Sequence, residues 1–151
     1  MLDVFQEGDS LAFKLSSELA LVDQVVAECN RYFELAGVTE PSTLDLVVQE
    51  LLVNAIRHGN HNEVSKLVKC RIASVEGRAF EIVVEDEGGG FDYRKLRMRL
   101  PEDPRRASRR GYILINALAE IIEFNETGNR VTVRVRAEAP EVYGAKARNK
   151  S

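Results

Sequence analysis

"AFEIVVEDEGGGFD", residues 79–92, sets three consecutive glycines directly behind a stretch that reads as a β-strand over 79–86. Asp86 stands at the end of that strand, ahead of Gly88, Gly89 and Gly90, then Phe91 and Asp92. Glycine loses more conformational freedom on ordering than any other residue. Three in a row therefore mark either a flexible hairpin turn or a backbone that must pass close to a ligand. An aspartate at a strand end can accept a hydrogen bond from an exocyclic amine such as that of adenine. Glycines behind it let a flat ring and its sugar lie against main chain.

The segments on either side supply a fold. "KLVKCRIASV" (66–75) alternates as a second strand, joined to 79–86 through Glu76-Gly77-Arg78 as a hairpin. Further upstream, "TEPSTLDLVVQELLVNAIRHGN" starts a helix near Pro41–Thr43, where proline suits the first turn and Ser or Thr can cap. Its apolar residues Leu44, Val47, Val48, Leu51, Leu52, Ala55 and Ile56 recur at helical spacing, and Gly59 with Asn60 ends it. An earlier helix runs to about Leu35, with Ser16 or Ser17 as its cap and Gly37 as its stop, behind a short strand at 11–15.

Downstream, a helix is expected at about 111–119 and a strand at about 120–125. "RVTVRVRAE" then alternates as a half-solvated strand. The pattern predicts an α+β two-layer sandwich: a mixed, mostly antiparallel sheet with helices gathered on one face. Residues 1–138 are expected to form one domain, and 139–151 a frayed tail.

Composition narrows the class. The chain has 151 residues, 44% hydrophobic and 30% charged, as in ordinary globular domains. No apolar run approaches the roughly 20 residues that span a bilayer. The N-terminus lacks the basic start and apolar core of a secretory signal, so a cytoplasmic protein is expected. Cys29 and Cys70 have no metal-ligand spacing and read as unpaired core thiols.

The net charge of −3 does not suggest nucleic-acid binding, but its distribution is informative. Segment 93–110, "YRKLRMRLPEDPRRASRR", sets eight Lys and Arg against Glu102 and Asp103, a local excess of six positive charges on an otherwise acidic chain. Such an island attracts a small or local anion better than a polyanion.

Three constellations carry chemistry. Glu50 and Asn54 are four residues apart on the second helix, and Arg57 and His58 follow, all expected on one face. A solvated stripe on an amphipathic helix is the plainer reading of the helix alone. The Asp86–glycine loop is the second. The third is Gly111, between the arginine-rich island and a helix, where helix-start amides and flanking arginines favour a polyphosphate. His58 and His61 lack a third ligand nearby, so a helix-end polar contact is the simpler reading than a metal site.

"ELLVNAIRHGN", "DEGGGFD" and "RRGYILINAL", in that order, resemble the N-box and the two glycine boxes of the GHKL ATPase superfamily. The chain resembles most closely the anti-sigma-factor serine/threonine kinases, over residues 10–136. The resemblance implies that Asn54 holds Mg²⁺ through its side-chain oxygen and that Glu50 is the general base. It places Asp86 at the adenine amine, Gly88 and Gly90 beneath the nucleotide, residues 93–110 as the ATP lid and Gly111 at its hinge. Arg57, His58, Arg109 and Arg110 fall beside the nucleotide in the same boxes.

By the same resemblance, the γ-phosphoryl group of ATP passes to a Ser or Thr of a STAS-domain anti-anti-sigma protein. A sigma factor or similar regulator is a further partner, and a homodimer is compatible with it. Two departures bear on turnover. Arg109 replaces the first glycine of a Gly-x-Gly, and Gly128-Asn129 replaces a Gly-Thr. Arg109 keeps open an alternative, a nucleotide-binding module that sequesters its partner without efficient phosphoryl transfer. The catalytic domain of a sensor histidine kinase is a third reading, disfavoured because only one strand and one helix are expected ahead of the first box.

Overall fold

Residues that alternate at period two build one sheet, and residues at helical spacing cover one of its faces. The computed structural model of the chain describes residues 1–76, 78–90 and 110–137, with the backbone alone for Arg110, Gly111 and Ile113. Its strands are β1 (Leu2–Glu7), β2 (Ser10–Ser16), β3 (Leu67–Val75), β4 (Ala79–Glu85), β5 (Ile121–Phe124) and β6 (Arg130–Arg136). They lie in the order β1-β2-β3-β4-β6-β5.

The register puts Phe13, Cys70, Val84 and Val131 in one row across the sheet, and Leu11, Ile72, Ile82 and Val133 in the next. All eight are buried. The opposite face is charged, with Lys14, Lys69, Glu85 and Arg130 in a single row. A one-residue slip would exchange the two faces, so burial fixes the register.

Helices α1 (Val22–Leu35), α2 (Ser42–Asn54) and α3 (Arg110–Leu118) cover the inner face, with α2 between the other two. α1 buries Val22, Val25, Cys29 and Phe33, one stripe at three- and four-residue steps. Phe33 meets Phe80 edge-on at 5.0 Å between ring centroids. At the end of α1 the amide of Val38 reaches the Phe33 carbonyl, that of Gly37 reaches the Glu34 carbonyl, and Gly37 has φ 96°. This is a Schellman closure, and it stops the helix at the glycine the sequence marks.

The structure departs from the sequence reading in four places. Among the described residues every strand pairing is antiparallel, where a mixed sheet is expected from the sequence. β1 precedes the expected first strand and occupies the sheet edge. Val4 and Phe5 are 45% and 46% exposed, so no alternation advertises it. Ser16 and Ser17 do not cap α1: Ser16 ends β2, a 3-10 turn (Leu19–Leu21) leads into the helix, and neither start has a side-chain cap. Pro41 occupies the cap position of α2, again with no side-chain cap.

Cys29 and Cys70 are free and buried. Among the described residues no helix is long and apolar enough to cross a membrane. The expected tail at 139–151 and most of the basic segment, including Arg109, lie outside the described residues.

Candidate nucleotide-binding site

β4 points Phe80, Ile82 and Val84 inward, and the next residue in that row is Asp86. An acid thus stands where the alternation calls for a hydrocarbon, at the end of a buried row. The main chain holds it there. Its amide donates to the Asn129 carbonyl at 2.9 Å, and Asn129 Nδ2 donates to the Asp86 carbonyl at 3.1 Å. Asn129 is held in turn by Asn125. The Asn125 Oδ1 accepts from the amides of Gly128, Asn129 and Arg130 at 2.9, 3.0 and 3.0 Å, and its Nδ2 donates to Asn129 Oδ1 at 2.7 Å. An asparagine accepting from successive amides folds the "NETGNR" turn onto β6. The Asn129 departure therefore puts a carboxamide in contact with the Asp86 backbone.

Asn54 approaches from the helical layer. It is the last residue of α2 and only 5% exposed. Its Nδ2 is buried with no hydrogen-bond partner among the described residues. A buried amide left unpaired costs about 1–3 kcal/mol, a penalty that a polar ligand relieves. The amide's oxygen and nitrogen exchange by a half-turn about one bond. The position therefore suits a hard oxygen donor to a cation.

Beyond Asn54 the helix widens into a π-turn, Ala55–Gly59, closed by the Asn60 amide on the Ala55 carbonyl at 2.8 Å. Single π-turns inside helices recur at functional sites. Here the turn brings Gly59 onto the Asp86 carboxylate. A Cβ at Gly59 would lie 2.1 Å from Asp86 Oδ2. A Cβ at Gly88 would lie 2.0 Å from the Gly59 carbonyl oxygen, and one at Gly90, where φ is +83°, 1.9 Å from the Thr127 carbonyl oxygen. The bareness of the glycine loop thus has a first cause within the protein. The loop threads between the α2 terminus and the β5–β6 turn, with no room for a side chain at Gly88 or Gly90. Gly89 meets nothing within 4 Å.

The resulting cleft is lined by Leu51, Asn54, Gly59, Val84, Asp86 and Tyr112, with Gly90, Gly128, Asn129 and Arg130 at its sides. Tyr112, near the start of α3, packs edge-on to Phe124 at 5.5 Å between centroids. Apolar residues set around one carboxylate and two carboxamides, Asn54 and Asn129, suit a flat heterocycle bearing a polar edge.

Of the residues singled out in the sequence, Asn54, Asp86 and Gly90 line this cleft. Gly88 lies behind it, its amide donating to Asp86 Oδ1 at 2.8 Å. Glu50 is half-buried on α2, one turn before Asn54, and outside the lining. Arg57 is exposed and His58 half-buried, both within the π-turn and outside the lining. The single face expected for Glu50, Asn54, Arg57 and His58 does not extend past Asn54, because the helical period changes there. Arg110 and Gly111 open α3, and Arg109 is outside the described residues. Tyr112 and the packing role of Gly59 escaped the sequence reading, which marked Asn129 only as a departure and not as a lining residue. The motif "RHGN" marked only a helix end.

The chain belongs to the histidine kinase-like ATPase domain family, whose profile matches residues 15–135. It is thus a kinase-like, ATP-binding domain. Among solved structures it is similar to the histidine kinase domain from the Erythrobacter litoralis EL346 blue-light activated histidine kinase. That likeness has 21% sequence identity, a TM-score of 0.47 and coverage of 79% of this chain. The chain spans 60% of that structure's length. No curated protein matches the chain.

Proposed function

We propose that the chain is an ATP- and Mg²⁺-dependent protein serine/threonine kinase acting as an anti-sigma regulatory factor in the cytoplasm. It phosphorylates a STAS-domain antagonist and binds a sigma factor or similar regulator. One observation carries the reading: Asn54, from the helical layer, and Asp86, from the sheet, line the same cleft. Asp86 accepts from the adenine amine, the bare backbone at Gly90 shapes the adjoining wall, and Gly88 supports the Asp86 carboxylate from behind. Asn54 offers its carboxamide oxygen to Mg²⁺, which when bound neutralises charge on the nucleotide phosphates.

Glu50 takes the proton of the acceptor Ser or Thr hydroxyl. As the hydroxyl oxygen bonds to the γ-phosphorus, the bridging bond to the β-phosphate breaks and ADP leaves. Glu50 is half-buried, one helical turn before Asn54 and next to the lining residue Leu51, and does not itself line the cleft. The same placement favours the second reading, a module that binds nucleotide and sequesters its partner without efficient transfer.

Phosphate transfer from radiolabelled ATP to a cognate STAS protein separates the two. Glu50→Ala is expected to slow transfer by about 10²–10⁴-fold with little change in ATP affinity. Undiminished transfer refutes the role of Glu50, and no transfer by the wild type favours sequestration.

A further inference from the structure

Asn60 follows the π-turn and is fully buried, the one asparagine at 0% exposure among the described residues. Its Nδ2 donates to Ser17 Oγ at 2.9 Å and to the Leu67 carbonyl at 3.0 Å. Its Oδ1 accepts from the amide of Glu87 at 2.8 Å. Ser17, itself 2% exposed, donates onward to the Lys66 carbonyl at 2.6 Å. One side chain therefore ties the α2 terminus to the β2–α1 connection, the start of β3 and the peptide next to Asp86. Buried carboxamides with both donors and an acceptor engaged specify one arrangement, because any displacement strands several polar groups at once.

Asn60 also touches the site from both directions along the chain. Gly59, its predecessor, packs on the Asp86 carboxylate, and Glu87, its hydrogen-bond donor, is the successor of Asp86. Asn129 holds the Asp86 peptide from the β6 side. Asn60 holds the following amide from the helical side. The two clamps fix the main chain on both sides of Asp86, and from there its carboxylate lies against Gly59 and accepts from the Gly88 amide.

We propose that Asn60 is a positioning residue for base recognition: it fixes Asp86 so that the cleft discriminates purines bearing a 6-amino group. The assignment rests on the nucleotide reading above. Only the bond to Glu87 faces the site, while the bonds to Ser17 and Leu67 face away from it. Asn60→Asp keeps an acceptor for the Glu87 amide and gives up the two donations. Asn60→Ala gives up all three.

The test measures dissociation constants for ATP and for purine riboside triphosphate, which lacks the 6-amino group, by displacement of a fluorescent nucleotide. Folding of each variant is checked by circular dichroism. The wild type is expected to prefer ATP by about tenfold or more, the scale of one hydrogen bond to a charged group. Asn60→Ala should bring the ratio towards one while both ligands still bind, and Asn60→Asp should retain it at a lower melting temperature. Ser17→Ala, which removes one anchor and leaves Asn60 in place, should lower the ratio by a smaller factor and serves where Asn60→Ala does not fold. A wild-type ratio in Ser17→Ala and in any folded Asn60→Ala overturns the assignment and leaves the nucleotide reading standing. A wild type that binds neither ligand overturns both.

Discussion

A single methyl group separates the native Asp86 carboxylate from a displaced one. An alanine at Gly59 would put its Cβ within 2.1 Å of that carboxylate, which must turn away. At Gly88 the obstacle is the Gly59 carbonyl, which is backbone and cannot turn. The two substitutions should therefore differ. Gly59→Ala is expected to lower ATP affinity by about tenfold or more, the loss of a charge-assisted hydrogen bond, with a modest change in melting temperature. Gly88→Ala should destabilise the fold itself by about 1–3 kcal/mol, as overpacking does. Nucleotide titration alongside urea unfolding checks both, and equal effects on binding and stability in the two variants would contradict the packing argument. Asp86 was legible in the sequence because an acid interrupts a row of inward hydrocarbons at a strand end. Asn60 and Asn129 were not, because an asparagine in a turn looks the same whether it faces water or three buried amides.

Helix α2 does two jobs with one periodicity. Leu44, Val47, Val48, Leu51 and Leu52 seat it on the sheet, and that seat sets the depth at which Asn54 meets the cleft. Leu52→Ala, at a fully buried position, should cost about 2–5 kcal/mol of unfolding free energy in urea melts; a loss under about 1 kcal/mol would show that this seat is loose. The stripe was readable at its spacing. The π-turn after it was not, since it differs from an α-turn only in which carbonyl an amide meets, as Asn60 meets Ala55. β1 was hidden for the opposite reason, as an edge strand with little to bury.

The two buried thiols, Cys29 on α1 and Cys70 on β3, make a prediction in pH. Burial pushes the Cys70 thiol up to about 12 and raises Cys29 further, with Cys70, Asp45 and Glu28 adding to the rise at Cys29. Unfolded thiols ionise near pH 8.5, roughly. The stability these thiols contribute is complete below that pH and falls as pH rises towards the folded values. Between about pH 8.5 and 10, Cys70→Ala should show an alkaline loss shallower by about 1.4 kcal/mol per pH unit than the wild type. An identical slope would mean that Cys70 ionises in the fold.

Across the whole molecule, the cleft draws on segments far apart in the chain: α2, the loop after β4, the β5–β6 turn and the start of α3. Their order in sequence, helix box, acidic glycine loop, then a glycine before a helix, was legible and carried the fold class. Their meeting in space depends on the β4–β6 pairing, which sets Asp86 opposite Asn129. No local pattern encodes that pairing, because β5 and a helix intervene between the two strands. A ligand held by all these segments binds only the folded chain, so it should raise the melting temperature, and go on raising it with the logarithm of its concentration above the dissociation constant. Calorimetric titration of ATP, with and without Mg²⁺, tests the central claim most directly, using the wild type, Asp86→Asn and Asn54→Ala. The account predicts saturable binding by the wild type that Mg²⁺ strengthens. Asp86→Asn should weaken binding in both conditions, and Asn54→Ala should remove the Mg²⁺-dependent increment alone. A wild type with no saturable uptake at millimolar ATP and Mg²⁺, or an Asn54→Ala variant that keeps the full Mg²⁺ increment, would contradict it.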